Sequence, residues 1–226
     1  MAKTYSIAID GPAGAGKSTI ARALAKELGY YYVDTGAIYR TVAYFLDLLG
    51  VSPKDVDGVE RYLDELTVEI EYDEDGKQHM IMNGMDVTDD IRTQDISQKA
   101  SLVSAHAIVR DMLLDMQRDV ARKHNVIMDG RDIGTVVLPK ATVKIFLTAS
   151  PEVRAQRRLD EMLAKGQKGN FNQVLADIQQ RDYQDSHRPI APLKQAKDAV
   201  LLDTSELDIE GVIAAMKKIV GEKISL

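Results

Sequence analysis

Short apolar runs, each closed by a polar turn, recur along the chain and alternate with stretches in which apolar residues have helical spacing. Such runs are typical of strands buried in a parallel sheet. We predict strands over residues 5–10, 30–33, 125–128, 142–147 and 199–202. The helical spacing covers residues 20–28, 37–49, 93–122, 151–165, 171–186 and 208–223. Strands that alternate with helices predict an α/β fold, a five-stranded parallel sheet flanked by helices.

The pattern changes between residues 59 and 92. Residues 68–72 alternate strictly between apolar and polar side chains, which predicts a half-exposed strand. Two more short runs follow at residues 79–82 and 85–87, and Asn83-Gly84 between them is a strong hairpin signal. We therefore expect a three-stranded antiparallel insert over residues 59–92. The core domain then comprises residues 1–58, 93–150 and 189–226, and residues 151–188 form a helical lid.

Composition and charge limit the classes of function. With 45% apolar and 28% charged residues, the 226-residue chain is typical of an ordinary soluble domain, and its lack of cysteine excludes disulfides and thiolate metal sites. The first three residues lead directly into the first strand, and Asp10 interrupts its apolar run too early for a signal peptide. No run is long enough to cross a membrane, so we expect a cytoplasmic protein. The net charge of −6 disfavours a nucleic-acid polymer as partner. No coiled-coil stripe is visible, so we expect a monomer.

A glycine-rich loop joins the first strand to the first helix. Strand, loop, Gly-Lys-Ser and helix together are the context of a phosphate-binding P-loop, because glycines allow backbone N–H groups to face an anion. Lys17 is expected to reach the β- and γ-phosphates of ATP, and the Ser18 hydroxyl to hold Mg²⁺. The alternative is an ordinary glycine-rich turn. The loop comprises Gly11, Pro12, Ala13, Gly14, Ala15, Gly16, Lys17, Ser18 and Thr19.

Carboxylates follow three predicted core strands, at Asp10, at Asp34, and at Asp129 with Asp132. Ligands of a doubly wound sheet bind at the carboxyl ends of its strands, so we expect these turns to meet beside the P-loop. An Asp in such a place is the type of group that holds Mg²⁺ through water. A role as a loop cap is the alternative for each of them.

Arginines form a second group of candidate residues, on the two helices of the predicted lid. Arg154, Arg157 and Arg158 share one helix face, and Arg181, Asp185 and Arg188 share a face of the next helix. Folded over the P-loop, this arm would neutralise charge on a transferring phosphoryl group and exclude water. The alternative is a solvated surface with exposed ion pairs.

Other classes of protein lack their motifs in this sequence. A GTPase switch needs Asn-Lys-x-Asp, and an ATP-driven motor is expected to show an apolar run that ends in Asp-Glu, but neither is present. The four histidines are scattered and predict neither a hydrolase triad nor a metal site. A small kinase with an acceptor site and an arginine lid remains.

Four motifs together resemble the bacterial cytidylate kinase family. They are the loop at residues 11–19, Asp-Thr-Gly-Ala-Ile-Tyr-Arg at 34–40, Ile-Arg-Thr-Gln at 91–94 and Asp-Gly-Arg-Asp-Ile-Gly-Thr at 129–135. The similarity runs from near the N-terminus to the last helix. It implies a nucleoside monophosphate kinase with a core, a lid and an acceptor-binding insert. The reaction implied is phosphoryl transfer from ATP, with Mg²⁺, to CMP or dCMP.

The resemblance also implies roles for individual residues. The acceptor nucleotide would be lined by Thr35, Tyr39, Arg40 and Arg92, its sugar held by Arg181 and Asp185, and its cytosine read by Ser101, Arg110, Asp132 and Arg188. The catalytic set would comprise Lys17, Asp129, Arg131, Arg154, Arg157 and Arg158, with the arginines on phosphates.

Selection of cytosine by Asp132 has a physical reason. The exocyclic amine of cytosine donates a hydrogen bond to a carboxylate, whereas uracil presents an oxygen that the carboxylate repels. We therefore expect a strong preference for CMP over UMP. Two alternatives stay open: a P-loop kinase for another small acceptor, such as UMP, another nucleotide or a metabolite, and a nucleotide-binding switch or structural protein with a vestigial site.

Overall fold

A computed structural model describes residues 4–224; residues 1–3, which were expected to lead into the first strand, and residues 225–226 lie outside the described residues. Eight strands are numbered in chain order: β1 Ser6–Asp10, β2 Tyr31–Asp34, β3 Val68–Tyr72, β4 Gln78–Met82, β5 Met85–Asp86, β6 Val126–Gly130, β7 Val143–Thr148 and β8 Val200–Asp203. Five of them form a parallel sheet in the order β2-β6-β1-β7-β8. The carboxyl ends of β2, β6 and β1 are therefore neighbours.

Helices cover both faces of this sheet. They are α1 Lys17–Leu28, α2 Thr35–Leu48, α3 Val56–Leu63, α4 Gln94–Val103, α5 Ala107–Lys123, α6 Pro151–Ala164, α7 Phe171–His187 and α8 Ile209–Gly221. Successive side chains of a strand point to opposite faces, so Ile7 and Ile9 pack with α1 and α8 while Ala8 packs with α2 and α5. The predicted α/β class with a five-stranded parallel sheet is confirmed. Among residues 4–224, none of the helices has both the length and the apolarity that a membrane span requires.

The predicted antiparallel insert is also present, as β3, β4 and β5. Asn83 and Gly84 both have positive φ, 48° and 80°, as the predicted hairpin turn requires. The insert packs on the main sheet, because Met80 and Met82 belong to the larger core cluster and the Tyr72 hydroxyl donates to the Tyr32 carbonyl at 3.0 Å. The predicted boundary at residues 58 and 59 falls inside α3, so we propose that the insert begins before this helix.

The helix predicted over residues 93–122 is wrong in one respect, because it is two helices with a break at residues 104–106. Ser104 ends α4, and its hydroxyl donates to the Ser101 carbonyl at 2.8 Å. His106 precedes α5 with an extended backbone, and its Nε2 lies 2.7 Å from the Pro53 carbonyl oxygen. Ser104 still has a helical backbone, so the extended backbone of His106 marks the interruption where the apolar spacing alone indicated continuity.

The predicted lid consists of α6 and α7, which pack against each other around a small core of their own. Ala155, Val174 and Ile178 form this core, separate from the two clusters that cover the main sheet. Pro151 occupies the first turn of α6 and the Ser150 hydroxyl caps it by accepting from the Val153 N–H. The pair therefore has its own packing, and it also contacts the rest of the protein through side chains such as Asp185 on α7, which accepts from the Ser101 hydroxyl.

Candidate active site

The loop between β1 and α1 has the backbone of a phosphate-binding loop. Gly11, Gly14 and Gly16 have positive φ, and a Cβ on Gly11 would lie 1.9 Å from the Leu147 carbonyl oxygen, so a larger residue is excluded there. The Lys17 ammonium is 95% buried and donates to the Pro12 carbonyl at 2.7 Å. Burial, and then the charge of Arg131, lower the pKa of Lys17 well below its ordinary value. Ala15 is buried and Thr19 is exposed.

Ser18 and Asp129 provide neighbouring oxygens at the end of this loop. The Ser18 hydroxyl donates to Asp129 Oδ2 at 2.9 Å, and the Tyr32 hydroxyl donates to Asp129 Oδ1 at 2.8 Å. Burial, and then the charge of Asp34, raise the pKa of Asp129. A hydroxyl and a carboxylate are ligands that Mg²⁺ prefers, and a cation here would offset the burial of the carboxylate. The pair therefore fits a magnesium ion, which would neutralise the charge of a bound phosphate.

The other two strand-terminal aspartates are occupied by the protein's own donors. Asp10 accepts from the backbone N–H groups of Ile133 and Gly134, both at 2.7 Å, and burial raises its pKa to about 6. Asp34 caps α2 through the Ala37 N–H and pairs with Arg40 at 2.9 Å. Of these three aspartates only Asp129 contacts the P-loop serine, and Asp10 and Asp34 have the capping role that was the alternative.

Asp132 lies in a buried pocket between two guanidinium groups. Arg110 donates to Asp132 Oδ2 and Arg188 donates to Asp132 Oδ1 at 3.0 Å. All three side chains are at most 7% exposed. The Tyr39 ring lies next to them, with the Arg110 carbon Cζ 5.7 Å from the ring centroid. The structure thus brings together three of the four residues expected to read cytosine.

Asp185 connects this pocket to the phosphate side of the cleft. It accepts from the Ser101 hydroxyl at 3.0 Å through Oδ1 and from Arg131 Nε at 2.8 Å through Oδ2. Although burial alone would raise its pKa, the charges of Arg131 and Arg181 hold the pKa of Asp185 below its ordinary value. Ser101, the fourth predicted reader of the base, is therefore in the same network as Arg131.

Four arginines form an electrostatically connected group with the carboxylates of Asp34 and Asp185. Burial, and then the like charge of Arg131, lower the pKa of Arg181 to about 10, with Arg40 contributing to the same effect. Arg92 acts with Arg40 on the pKa of Asp34, so it belongs to the same group. The buried Nε atoms of Arg40 and Arg181 have no hydrogen-bond partner among the described residues. Mutually repelling cations with free buried donors indicate a site for an anion of high charge.

The three lid arginines of α6 have different surroundings. Arg154 donates to the Ala13 carbonyl of the P-loop at 3.0 Å and pairs with Asp182 at 2.7 Å. Arg158 is half exposed and, with Arg92, lines a cleft of about 460 Å³ between lid and core. Arg157 instead donates to Thr204 and to the Leu207 carbonyl, beyond β8. Arg154 thus contacts the P-loop and Arg158 lines the cleft, whereas Arg157 does neither.

Tyr32, Thr35 and Ser104 also contact the site. The Thr35 hydroxyl, which the motif at residues 34–40 indicated, donates to the Asp129 carbonyl at 2.7 Å. Tyr32 and Ser104 were not predicted. Tyr32 has the appearance of any apolar strand residue, and Ser104 lies inside what appeared to be a continuous helix, so neither carried a local signal. Among residues 4–224 no cluster of three or more His, Asp or Glu side chains is arranged to hold a metal ion.

Comparisons with known proteins agree with this geometry. The sequence model of the family described as cytidylate kinase matches residues 7–222. The chain is 46% identical over 222 residues to a cytidylate kinase of an Exiguobacterium species, covering 98% of this chain and 99% of that protein. It is 48% identical over 217 residues to the cytidylate kinase of Carboxydothermus hydrogenoformans, covering 96% and 97%. An uncharacterized protein from Eubacterium ventriosum has a crystal structure with a TM-score of 0.51 at 13% identity, covering 97% and 99% of the two chains, which shows the fold alone.

Proposed function

The chain belongs to the cytidylate kinase family, and on that premise we propose that it transfers the terminal phosphoryl group of ATP to CMP or dCMP, giving ADP and CDP or dCDP. One observation carries the proposal beyond the family name. The buried Nε donors of Arg40 and Arg181 have no hydrogen-bond partner among the described residues, and two further arginines hold the Asp132 carboxylate. A ligand with a phosphate at one end and an aminopyrimidine at the other would satisfy both the free arginine donors and the Asp132 carboxylate.

On the donor side, the backbone of residues 11–19 would hold the phosphates of ATP, with Lys17 on the β- and γ-phosphates. Ser18 and Asp129 would hold Mg²⁺, directly or through water. The ion neutralises phosphate charge when it is bound. Lys17 donates to the Pro12 carbonyl, an uncharged acceptor, and a phosphate oxygen of ATP would be a stronger one.

On the acceptor side, the phosphate of CMP would be bound by Arg40, Arg92, Arg131 and Arg181. The free Nε donors of Arg40 and Arg181 support this assignment, because they need an acceptor. Thr35 and Tyr39 would line the nucleotide, and Arg181 with Asp185 would hold the sugar. Asp132, Arg110, Arg188 and Ser101 would read the base, since a carboxylate accepts the cytosine amine.

The transfer itself needs no covalent intermediate with the protein. An oxygen of the CMP phosphate attacks the γ-phosphorus, and the bond from the γ-phosphorus to the oxygen that bridges to the β-phosphate breaks. Arg131, Arg154 and Arg158 would neutralise the charge that spreads over the transferring group. Arg157 would serve this purpose only after leaving its contacts at Thr204, so we propose that it anchors α6 to the core.

At the level of the whole protein, we propose that residues 151–188 act as the lid and the antiparallel insert as part of the acceptor-binding side. We further propose a cytoplasmic monomer whose partners are small molecules and neither nucleic-acid polymers nor membranes. The net charge of −6 supports the exclusion of nucleic acid.

One assay tests the function against its alternatives. ADP formation from ATP and Mg²⁺ is measured with CMP, dCMP, UMP, AMP and GMP as acceptors, each over a range of concentrations. We expect CMP and dCMP to give kcat/KM values at least a hundredfold above that of UMP. Faster turnover with another acceptor would favour a kinase for that acceptor, and ADP formation with none of the five would indicate a vestigial site.

A further inference from the structure

Ser104 occupies the break between α4 and α5, a place that the helical pattern of the sequence hides. It is the last residue associated with α4, and it is 94% buried. Its position is next to the pocket of Asp132, yet it is on none of the motifs that identify the family. A role for Ser104 must therefore be inferred from its contacts in the structure.

Both polar groups of Ser104 contact the arginines of the pocket. The hydroxyl proton is directed to the Ser101 carbonyl at 2.8 Å, which leaves the Oγ lone pairs to accept from Arg188 NH1 at 2.9 Å. The carbonyl of the same residue accepts from Arg110 NH1 at 3.3 Å. A single residue thus contacts both guanidinium groups through two different atoms.

These are the same two guanidinium groups that hold Asp132. Arg188 donates to Asp132 through NH2 and to Ser104 through NH1, and its Nε donates to the Ala191 carbonyl at 2.7 Å. With all three nitrogens fixed, the plane of the Arg188 guanidinium cannot rotate, and the lone pairs of Asp132 that remain for a ligand have a fixed direction.

We propose that Ser104 is a positioning residue for selection of the base, an inference that rests on the proposed function. It acts through Arg188 and need not touch the nucleotide. When the hydroxyl is absent, Arg188 NH1 loses a buried acceptor, and the guanidinium turns to find another. Asp132 then turns with it, so the carboxylate no longer faces the place where the cytosine amine differs from the uracil oxygen.

The test is Ser104→Ala, with Ser97→Ala as matched control. Ser97 lies on the same helix, and its hydroxyl donates to the Thr93 carbonyl at 2.8 Å on an exposed face. We expect Ser104→Ala to raise the KM for CMP about tenfold, the scale of one hydrogen bond to a charged group, with kcat and the KM for ATP within about twofold of wild type. The ratio of kcat/KM for CMP to that for UMP should fall by a similar factor. Ser97→Ala should change none of these values.

A double-mutant cycle separates positioning from a general loss of structure. If Ser104 acts through Arg188, Ser104→Ala should have little further effect on the CMP-to-UMP ratio in an Arg188→Ala background. An equal fall in both backgrounds would overturn the inference, as would an unchanged ratio in the single variant. A wild-type protein that forms no ADP with CMP would instead show that the proposed function has failed, so the two failures are distinguishable.

Discussion

At the scale of single residues, the buried aspartates at the edge of the sheet differ in role because different donors surround each of them. Asp10 accepts two backbone N–H groups, and Asp34 accepts one together with a guanidinium. The Asp129 carboxylate accepts from two hydroxyls, whereas the Asp132 carboxylate accepts from two arginines. The carboxylates of Asp10 and Asp34 are held by backbone N–H groups that a ligand cannot replace, whereas those of Asp129 and Asp132 have only side-chain partners among the described residues. We therefore propose that Asp129 and Asp132 contact the ligands.

Lys17→Ala is expected to abolish turnover and to leave the fold intact. The ammonium is needed where charge develops on the transferring group, and loss of one such contact costs on the order of a thousandfold in kcat. Burial of the charged Lys17 ammonium is costly, as its lowered pKa shows. Replacing this side chain should therefore not lower the midpoint of thermal unfolding. Steady-state kinetics and calorimetry check both parts. Lys26→Ala, an exposed position on the same helix, is the control, and near-normal turnover of Lys17→Ala would refute the role.

Asp132→Ala should remove the discrimination between CMP and UMP. Two buried guanidinium groups would lose their carboxylate, which costs about 3–5 kcal/mol of stability for a broken buried pair. We expect kcat/KM for CMP to fall on the order of a hundredfold or more and to approach the value for UMP. Asp115→Ala, exposed on α5, should match wild type. Full preference for CMP in Asp132→Ala would show that another group reads the base.

At the scale of elements, the sequence predicted those structures that depend on local pattern and missed those held by distant contacts. The strands, the P-loop and the Asn83-Gly84 hairpin follow from apolar runs and turn chemistry, which act over a few residues. The break at Ser104 and the π-helical turn at Ile133–Val137 do not. The first depends on Pro53, and the second on Asp10, 123 residues away from Ile133, so neither has a local signal.

Within the antiparallel insert, His79 on β4 should titrate above its ordinary pKa of 6.5. Its Nδ1 lies 2.7 Å from Asp86 and its Nε2 3.2 Å from Asp73, so hydrogen bonds to both carboxylates raise the pKa. The stabilisation is fully present below pH 6.5 and is lost as the pH rises through the folded-state pKa. A nuclear magnetic resonance titration of the His79 ring measures this value.

Two variants show whether the carboxylates cause the shift. Asp86→Asn should bring the pKa of His79 back toward 6.5, because it removes the hydrogen bond to the Asp86 carboxylate, which is the largest cause of the raised pKa. Asp75→Asn is the control. Asp75 lies in the same turn as Asp73 and bonds to it through its backbone N–H, which the substitution keeps. A wild-type His79 that titrates at or below 6.5 would contradict the geometry.

At the scale of the whole molecule, a chain with a net charge of −6 has four cationic side chains along one cleft. Arg92, Arg158, Lys165 and Lys168 line the opening between lid and core, opposed by Glu161. A cleft of one charge sign with low-dielectric walls concentrates ligands of the opposite charge. The distribution favours nucleotides as ligands although the overall charge would repel them.

Arg158 gives this arrangement a direct test. Its side chain is half exposed, and its ion pair with Glu161 at 3.4 Å lies on a helix surface, so Arg158→Ala should change stability by less than about 0.5 kcal/mol. If the lid closes over the cleft, the same change should lower kcat on the order of ten- to a hundredfold, because the guanidinium meets phosphate only in the closed form. Arg122→Ala is a matched control, since Arg122 is also exposed and pairs with Asp119 at the same i,i+3 spacing, on α5. Equal kcat values for the two variants would mean that Arg158 stays in solvent throughout the reaction, and that the lid closes without it.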